Sequence, residues 1–324
     1  MSSKNRIPQK DNKVKLSPLS PWREKKKEAI KIAKKLQLVG HFERSKRVME
    51  CSELLIKRKC ECGHTHIQTA NLCRDRMCPV CNWRLSLKRY ANMIHILDFM
   101  RNNIETKYHF LFMTLTIKNC KASRLNATVK HMSQSWNRLL QRKDFKEKIE
   151  GFARSVEVTF NREREDFHPH FHIIAAVRVG ECISQEEVRE AWREVLRISY
   201  DPITDIREVY NKNKREAGEN PTDDATAAVL ETFKYAVKSK TLQDMPLNLF
   251  RELSDQINSL RMVSFGGVFK KVKNTLALEM ESISESDEIS IRKDECSKCG
   301  HLMQEVLYKW SFGEDAYQEF KIEE

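Results

Sequence analysis

The chain has 324 residues, 40% of them hydrophobic and 32% charged, with a formal net charge of +12 at pH 7. Mean hydropathy is −0.61, and no apolar run approaches the roughly 18 residues of a membrane helix, so a membrane protein is not expected. The positive balance favours a polyanionic partner. The charge is unevenly placed: residues 1–50 carry a net of +10 and residues 275–324 a net of −8. The opening MSSKNRIPQKDNK lacks the apolar stretch of a secretory signal, so a cytoplasmic protein is expected. Ten cysteines in such a chain point to metal rather than to a disulfide framework.

In chain order, residues 1–50 read as a basic N-terminal arm followed by an amphipathic helix. Ile30, Ala33, Leu36 and Leu38 lie on a helical period that breaks near Gly40. Residues 51–104 form a cysteine-rich segment that ends in a helix. Residues 108–118, aromatic and β-branched, predict a buried strand. Leu125, Val129, Met132, Trp136, Leu139 and Leu140 predict a helix over 123–142. Residues 152–161 alternate, with Ser155, Glu157 and Thr159 on one face and Val156, Val158 and Phe160 on the other. A charged turn and a second strand over 168–179 make the pair a hairpin. Ser184 and Glu187 form a capping box, with Ile183 and Val188 as its staple, for a helix that buries Val188, Ala191, Trp192, Val195 and Leu196. A short strand over 203–210 and a helix from about Asp223 to Lys240 follow. The order over 108–240 predicts an α+β fold, an antiparallel sheet flanked by helices in a ferredoxin-like pattern, with an N-terminal zinc-binding subdomain. Residues 105–245 are expected to form the main domain, 246–295 an extension with an acidic linker, and 296–324 a small cysteine-bearing tail.

The run His168-Pro169-His170-Phe171-His172 carries the sharpest signal. On a strand, the three imidazoles share one face while Phe171 and Ile173 take the other. Neutral imidazoles in a row suit a divalent cation. With the hairpin turn near 164–165, Glu157 faces His172 on the same side and adds a carboxylate. His168 is its rival as third ligand, and a one-residue slip would remove Glu157 from the face. In the helix around 229–238, Leu230, Phe233 and Val237 are expected to be buried. Glu231, Tyr235 and Lys238 fall on the opposite side, as base, nucleophile and electrostatic clamp. By itself that spacing is better described as a solvated helix face with an ordinary Glu–Lys pattern.

Cys60, Cys62, Cys73, Cys78 and Cys81 lie within 22 residues, and Cys78-Pro79-Val80-Cys81 has the form of a zinc knuckle. Four of the five are expected to hold a structural Zn²⁺, with His64 and His66 as substitutes. Arg74, Arg76, Arg84, Lys88 and Arg89 would give this unit a basic surface for a polyanionic partner, which is DNA if the resemblance described next holds. In the tail, Cys296, Cys299 and His301 form half of a second zinc site, completed from elsewhere or left empty. Cys51, Cys120 and Cys182 read as core thiols.

Together these elements resemble the HUH endonucleases: His170-Phe171-His172 matches the histidine motif, Tyr235 to Lys238 the tyrosine motif, and Phe112-Met113-Thr114-Leu115-Thr116 the first motif. Within that class the chain is most similar to the rolling-circle replication initiators of small Gram-positive plasmids, the Rep_1 family. The similarity rests on residues 154–159, the HPHFH run, Glu231 four residues before Tyr235, and the run from Cys73 to Cys81. It covers roughly residues 51–245. The resemblance implies a nickase that uses Mg²⁺ or Mn²⁺ on His170, His172 and Glu157 or His168. Tyr235 would form a 5′-phosphotyrosyl link, and Glu231 would activate water at termination. Implied partners are origin DNA and the host helicase and polymerase, with oligomeric state left open. An HUH transposase or relaxase and a non-catalytic zinc DNA-binding regulator are the competing readings.

Overall fold

The computed structural model describes residues 19–209, 221–234, 237–283, 295–296 and 298–320. Its α+β architecture consists of two antiparallel sheets flanked by helices. Helices α1 (Ser20–Leu38) and α2 (Phe42–Glu50) are followed by the hairpin β1 (Leu54–Cys60) and β2 (Thr65–Ala70), and then by the long α3 (Pro79–Asn103). Next come β3 (Tyr108–Thr116), α4 (Leu125–Leu139), the single turn α5 (Lys143–Lys146), β4 (Ile149–Asn161), β5 (Asp166–Arg178), α6 (Gln185–Leu196) and β6 (Thr204–Glu208). The later elements are α7 (Pro221–Phe233), α8 (Ser239–Asp244), α9 (Leu247–Ile257), β7 (Val263–Gly266), α10 (Gly267–Thr275), β8 (Met303–Ser311) and β9 (Ala316–Phe320).

The central sheet runs β6-β3-β5-β4-β7. Its first four strands have the interleaved order expected of a β-α-β-β-α-β unit. Alternation along β5 divides the core. Phe171, Ile173, Ala175 and Val177 pack with Trp136 of α4 and Trp192 of α6, while Ile174 and Ala176 pack with α3, α7 and α10 on the other side. Each fully buried Leu, Ile or Phe in these layers contributes about 1.5–3 kcal/mol of transfer free energy. The capping box forms as the sequence predicts: Glu187 N–H donates to Ser184 Oγ at 3.2 Å, and Ser184 N–H donates to Glu187 Oε2 at 2.7 Å. The Gly266-Gly267 turn lets β7 run directly into α10. Gly267 sits at φ +55°, and a Cβ there would collide with the Glu150 carbonyl.

Several expectations are corrected. The buried stripe of α1 is Trp22, Lys26, Ala29, Ile32, Ala33 and Leu36; Ile30 is half-buried and Leu38 is exposed. The helix expected to reach Lys240 ends at Phe233, and a separate one starts at Ser239. Its buried residues include Val229, Thr232 and Phe233, whereas Leu230 is 49% exposed. Local periodicity did not set this phase, because the Ser155 hydroxyl on the sheet donates to the Thr232 carbonyl and holds the helix end. The hairpins β1–β2 and β8–β9, absent from the sequence reading, join in a second sheet of order β2-β1-β8-β9. Among the described residues, no helix is long and apolar enough to cross a membrane.

Candidate functional site

The site grows from the β4–β5 hairpin. Its register pairs Glu157 with His170, Ser155 with His172 and Thr159 with His168. The expected pairing of Glu157 with His172 is therefore off by two residues. A shift of two keeps every side chain on its face, so the group still converges. Strand β3 extends the rows, with Thr114 beside His172 and Thr116 beside His170.

Glu157, His170 and His172 are all buried, and one ligand atom from each lies within 4.8 Å of the others. Nε2 of His170 and of His172 lie 3.0 and 2.9 Å from Glu157 Oε2. The outer nitrogens are also engaged. His170 Nδ1 donates to the His168 carbonyl at 3.3 Å, and His172 Nδ1 lies 3.2 Å from the Thr114 hydroxyl. Metal-binding histidines usually engage their outer nitrogen in this way, which fixes the orientation of the ring. Phe112 stacks on the His172 ring at 5.5 Å and holds its plane. His168 is half-buried and lies outside the three-residue group, its ring 5.5 Å from that of His170.

Electrostatics favour a charged carboxylate at Glu157. Burial alone would raise the Glu157 carboxyl, but hydrogen bonds with His170, His172 and Lys234 outweigh it and hold the group well below the usual carboxylate range. Burial pushes the His172 imidazole down, against the pull of Glu157, which favours the neutral form a ligand needs. His168 is also lowered, by burial and then by His170.

Helix α7 delivers the remaining charges. Lys234 Nζ lies 2.7 Å from Glu157 Oε2 and also contacts Glu231, whose Oε1 is 3.6 Å from His172 Nε2. Burial opposes the Lys234 charge, but the two carboxylates overcome it and raise its pKa. Sequence reasoning passed over Lys234; its signal was a position three residues after Glu231. Tyr235 lies outside the described residues, as does Tyr210. Lys238 is exposed in extended backbone ahead of α8, so it does not share a helix face with Glu231, although it lines a cavity of about 320 Å³ together with Lys234. The Tyr200 hydroxyl accepts from the Lys118 amide at 3.0 Å.

The cysteines sort differently from the sequence expectation. Cys51, Cys73, Cys78 and Cys81 form one group, and Cys60, His64, Cys296 and Cys299 form another. Cys51, read as a core thiol, sits 3.5 Å from Cys81 Sγ, while Cys60 and Cys62 belong elsewhere. In the first group Cys73 Sγ is 3.6 Å from Cys81 Sγ, and the Arg74 amide donates to Cys81 Sγ at 3.2 Å. The fully buried Lys26 donates to the carbonyls of Met49 and Cys51 at 2.6 and 2.7 Å, which brings a cation beside these sulfurs. Such a Cys₄ set could bind zinc.

The expected DNA-facing cations are mostly turned onto the protein. Arg84 is buried against the rings of Trp22 and Trp83. Arg76, Lys88 and Arg89 donate to backbone carbonyls of Ile257, Ser282 and Met280. A cavity of about 450 Å³ beside the cysteine module is lined by Arg74, Arg89, Arg261, Cys81 and Lys234 among others.

The family model described as Rep_1, replication protein, matches residues 64–318. Relatives include a protein named "Protein rep" from Streptococcus pneumoniae, 33% identical over 86% of each chain. Another of that name, from Bacillus amyloliquefaciens, is 32% identical over 86% of this chain and 88% of its own. A third, from Lentilactobacillus hilgardii, is 29% identical over 92% and 94%. No solved structure matches the chain.

Proposed function

The chain belongs to the Rep_1 family of plasmid replication initiators, and from that premise we propose that it nicks one strand of a plasmid origin through Tyr235. The observation that carries this reading is the buried convergence of Glu157, His170 and His172, bordered by Glu231 and Lys234. Tyr235 follows Lys234 in the chain. The donor set fits a divalent cation, because both imidazoles turn Nε2 inward beside a carboxylate kept ionised. When bound there, Mg²⁺ or Mn²⁺ would polarise the scissile phosphate and stabilise charge on its nonbridging oxygens.

The phenol oxygen of Tyr235 attacks phosphorus; an O–P bond forms as the bond to the 3′ oxygen breaks. The strand is left with a 5′-phosphotyrosyl link and a 3′-hydroxyl primer. At termination Glu231, partly exposed beside His172, accepts a proton from a water whose oxygen attacks the phosphorus of the regenerated origin; an O–P bond forms as the bond to the 3′ oxygen breaks, leaving a 5′-phosphate and a 3′-hydroxyl without a second tyrosine. Lys234 keeps Glu157 ionised and places positive charge next to the phosphate, and Lys238 reaches it from the solvent side. His168 orients His170 through its carbonyl. Cys51, Cys73, Cys78 and Cys81 hold a structural Zn²⁺ that fixes the first turn of α3. The scissile segment enters single-stranded, while Lys and Arg contacts to phosphate dominate affinity and make it fall with salt. Residues 105–245 form the nickase domain, which acts in the cytoplasm and hands its product to host helicase and polymerase.

A nicking assay on supercoiled origin plasmid tests this. Tyr235→Phe protein should bind the origin and form no covalent adduct; unchanged cleavage would remove Tyr235 as the nucleophile.

A further inference from the structure

The second cysteine group joins two stretches far apart in the chain. Cys296 Sγ lies 3.5 Å from His64 Nδ1, 232 residues earlier, and Cys60 Sγ lies 3.6 Å from Cys299 Sγ. Cys60 Sγ and His64 Nδ1 are 3.5 Å apart. With Zn–S near 2.3 Å and Zn–N near 2.0–2.1 Å, a tetrahedral site has edges of about 3.8 Å between sulfurs and about 3.6 Å between sulfur and nitrogen. The observed separations match those edges.

The backbone supports the same reading. In the first loop Gly63 N–H donates to the Cys60 carbonyl at 2.9 Å, and Cys60 N–H donates to the His64 carbonyl at 3.0 Å. In the second, Gly300 N–H donates to the Cys296 carbonyl at 2.8 Å, and Cys296 N–H donates to the His301 carbonyl at 2.8 Å. Each loop turns on a glycine in the left-handed region, Gly63 at φ +78° and Gly300 at φ +72°. The molecule thus presents two knuckles of one design, face to face, with Cys60 and Cys296 buried between them.

We propose that Cys60, His64, Cys296 and Cys299 bind a structural Zn²⁺ that clasps the C-terminal hairpin to the cysteine-rich module. Thiolates and imidazole select zinc over magnesium or calcium, and four protein ligands close the site to substrate. Cys62 Sγ and His301 Nδ1, 3.6 Å apart, form a second group with Cys299, but both are exposed and only the four-residue set is complete. The clasp accounts for the second sheet. Strand β8 pairs with β1 from Leu54–Lys309 to Cys60–Met303, and the Tyr317 hydroxyl donates to the Ser52 carbonyl at 2.7 Å. The inference does not rest on the nickase reading.

The test is zinc content of the full chain, purified under reducing conditions from zinc-supplemented medium, with Co²⁺ spectra of metal-exchanged protein. The combined Cys296→Ser and Cys299→Ser variant should carry one zinc fewer than the parent, and an equal content overturns the proposal. His64→Cys guards against general unfolding: it should keep the parent's zinc content while the sulfur-to-Co²⁺ charge-transfer band strengthens. An unchanged band overturns the assignment of His64. A parent chain in which Cys60 and Cys299 form a disulfide, read by thiol counting under non-reducing conditions, overturns the site itself.

Discussion

The histidine site and the cysteine module assemble their candidate ligands in opposite ways. The first takes Glu157, His170 and His172 from two strands joined by one turn, so its geometry follows from pleat and register. The module gathers Cys51, Cys73, Cys78 and Cys81 from a helix end, a loop and the start of α3, and its neighbour reaches across to the C-terminal hairpin. Three protein ligands leave positions for a substrate oxygen; four leave none. Under the proposed function the contrast separates a cation used in chemistry from one used in folding, and each can be attacked without the other.

The largest effect is expected where chemistry is removed and fold is kept. Glu157→Ala should lower nicking by about 10³-fold or more, since it deletes a ligand and the partner of Lys234. Origin binding should stay within a few-fold, measured by fluorescence anisotropy. Brief EDTA treatment should act alike and be reversed by Mn²⁺. If Glu157→Ala loses a tightly held zinc instead, the division between the two regions fails.

The cysteine module should show the converse. Cys51→Ala should release one zinc and destabilise the chain by more than about 3 kcal/mol, because structural zinc binding is itself folding free energy. Cys120→Ala, outside every cysteine group, should leave zinc content unchanged. Zinc analysis and denaturant titration of both variants decide this. Equal behaviour would return Cys51 to the status of a plain core thiol.

A smaller loss, about 2 kcal/mol, is expected for Lys26→Met, which leaves the Met49 and Cys51 carbonyls without their ammonium donor. Thermal melts should show it without any loss of nicking at low temperature. Smaller still is Ser184→Ala, about 1 kcal/mol from one lost cap and without effect on zinc or cleavage.

The sequence made legible what depends on short-range period. Alternation along 152–161 and 168–172 put Glu157 and the histidines on one face, and a register error of two residues cost nothing. Helix α6 was readable to its cap. What escaped depends on long-range packing. The end of α7 is set by Ser155 on the sheet, so Lys234 reaches Glu157 while Lys238 leaves the helix. Cys51 was invisible as a partner of Cys73 because the intervening hairpin brings them together, and no local spacing pairs Cys60 with Cys299. Arg84 and Arg89 looked like a DNA face, yet tryptophan rings and a backbone carbonyl take them up.

The central claim is that a cation on Glu157, His170 and His172 and the phenol of Tyr235 act on one phosphorus atom. Phosphorothioate substitution of a nonbridging oxygen at the nick site tests it directly. The account predicts that one diastereomer forms little Tyr235 adduct in Mg²⁺ and recovers it when Mn²⁺ is supplied. Equal adduct from both diastereomers in Mg²⁺ would contradict it.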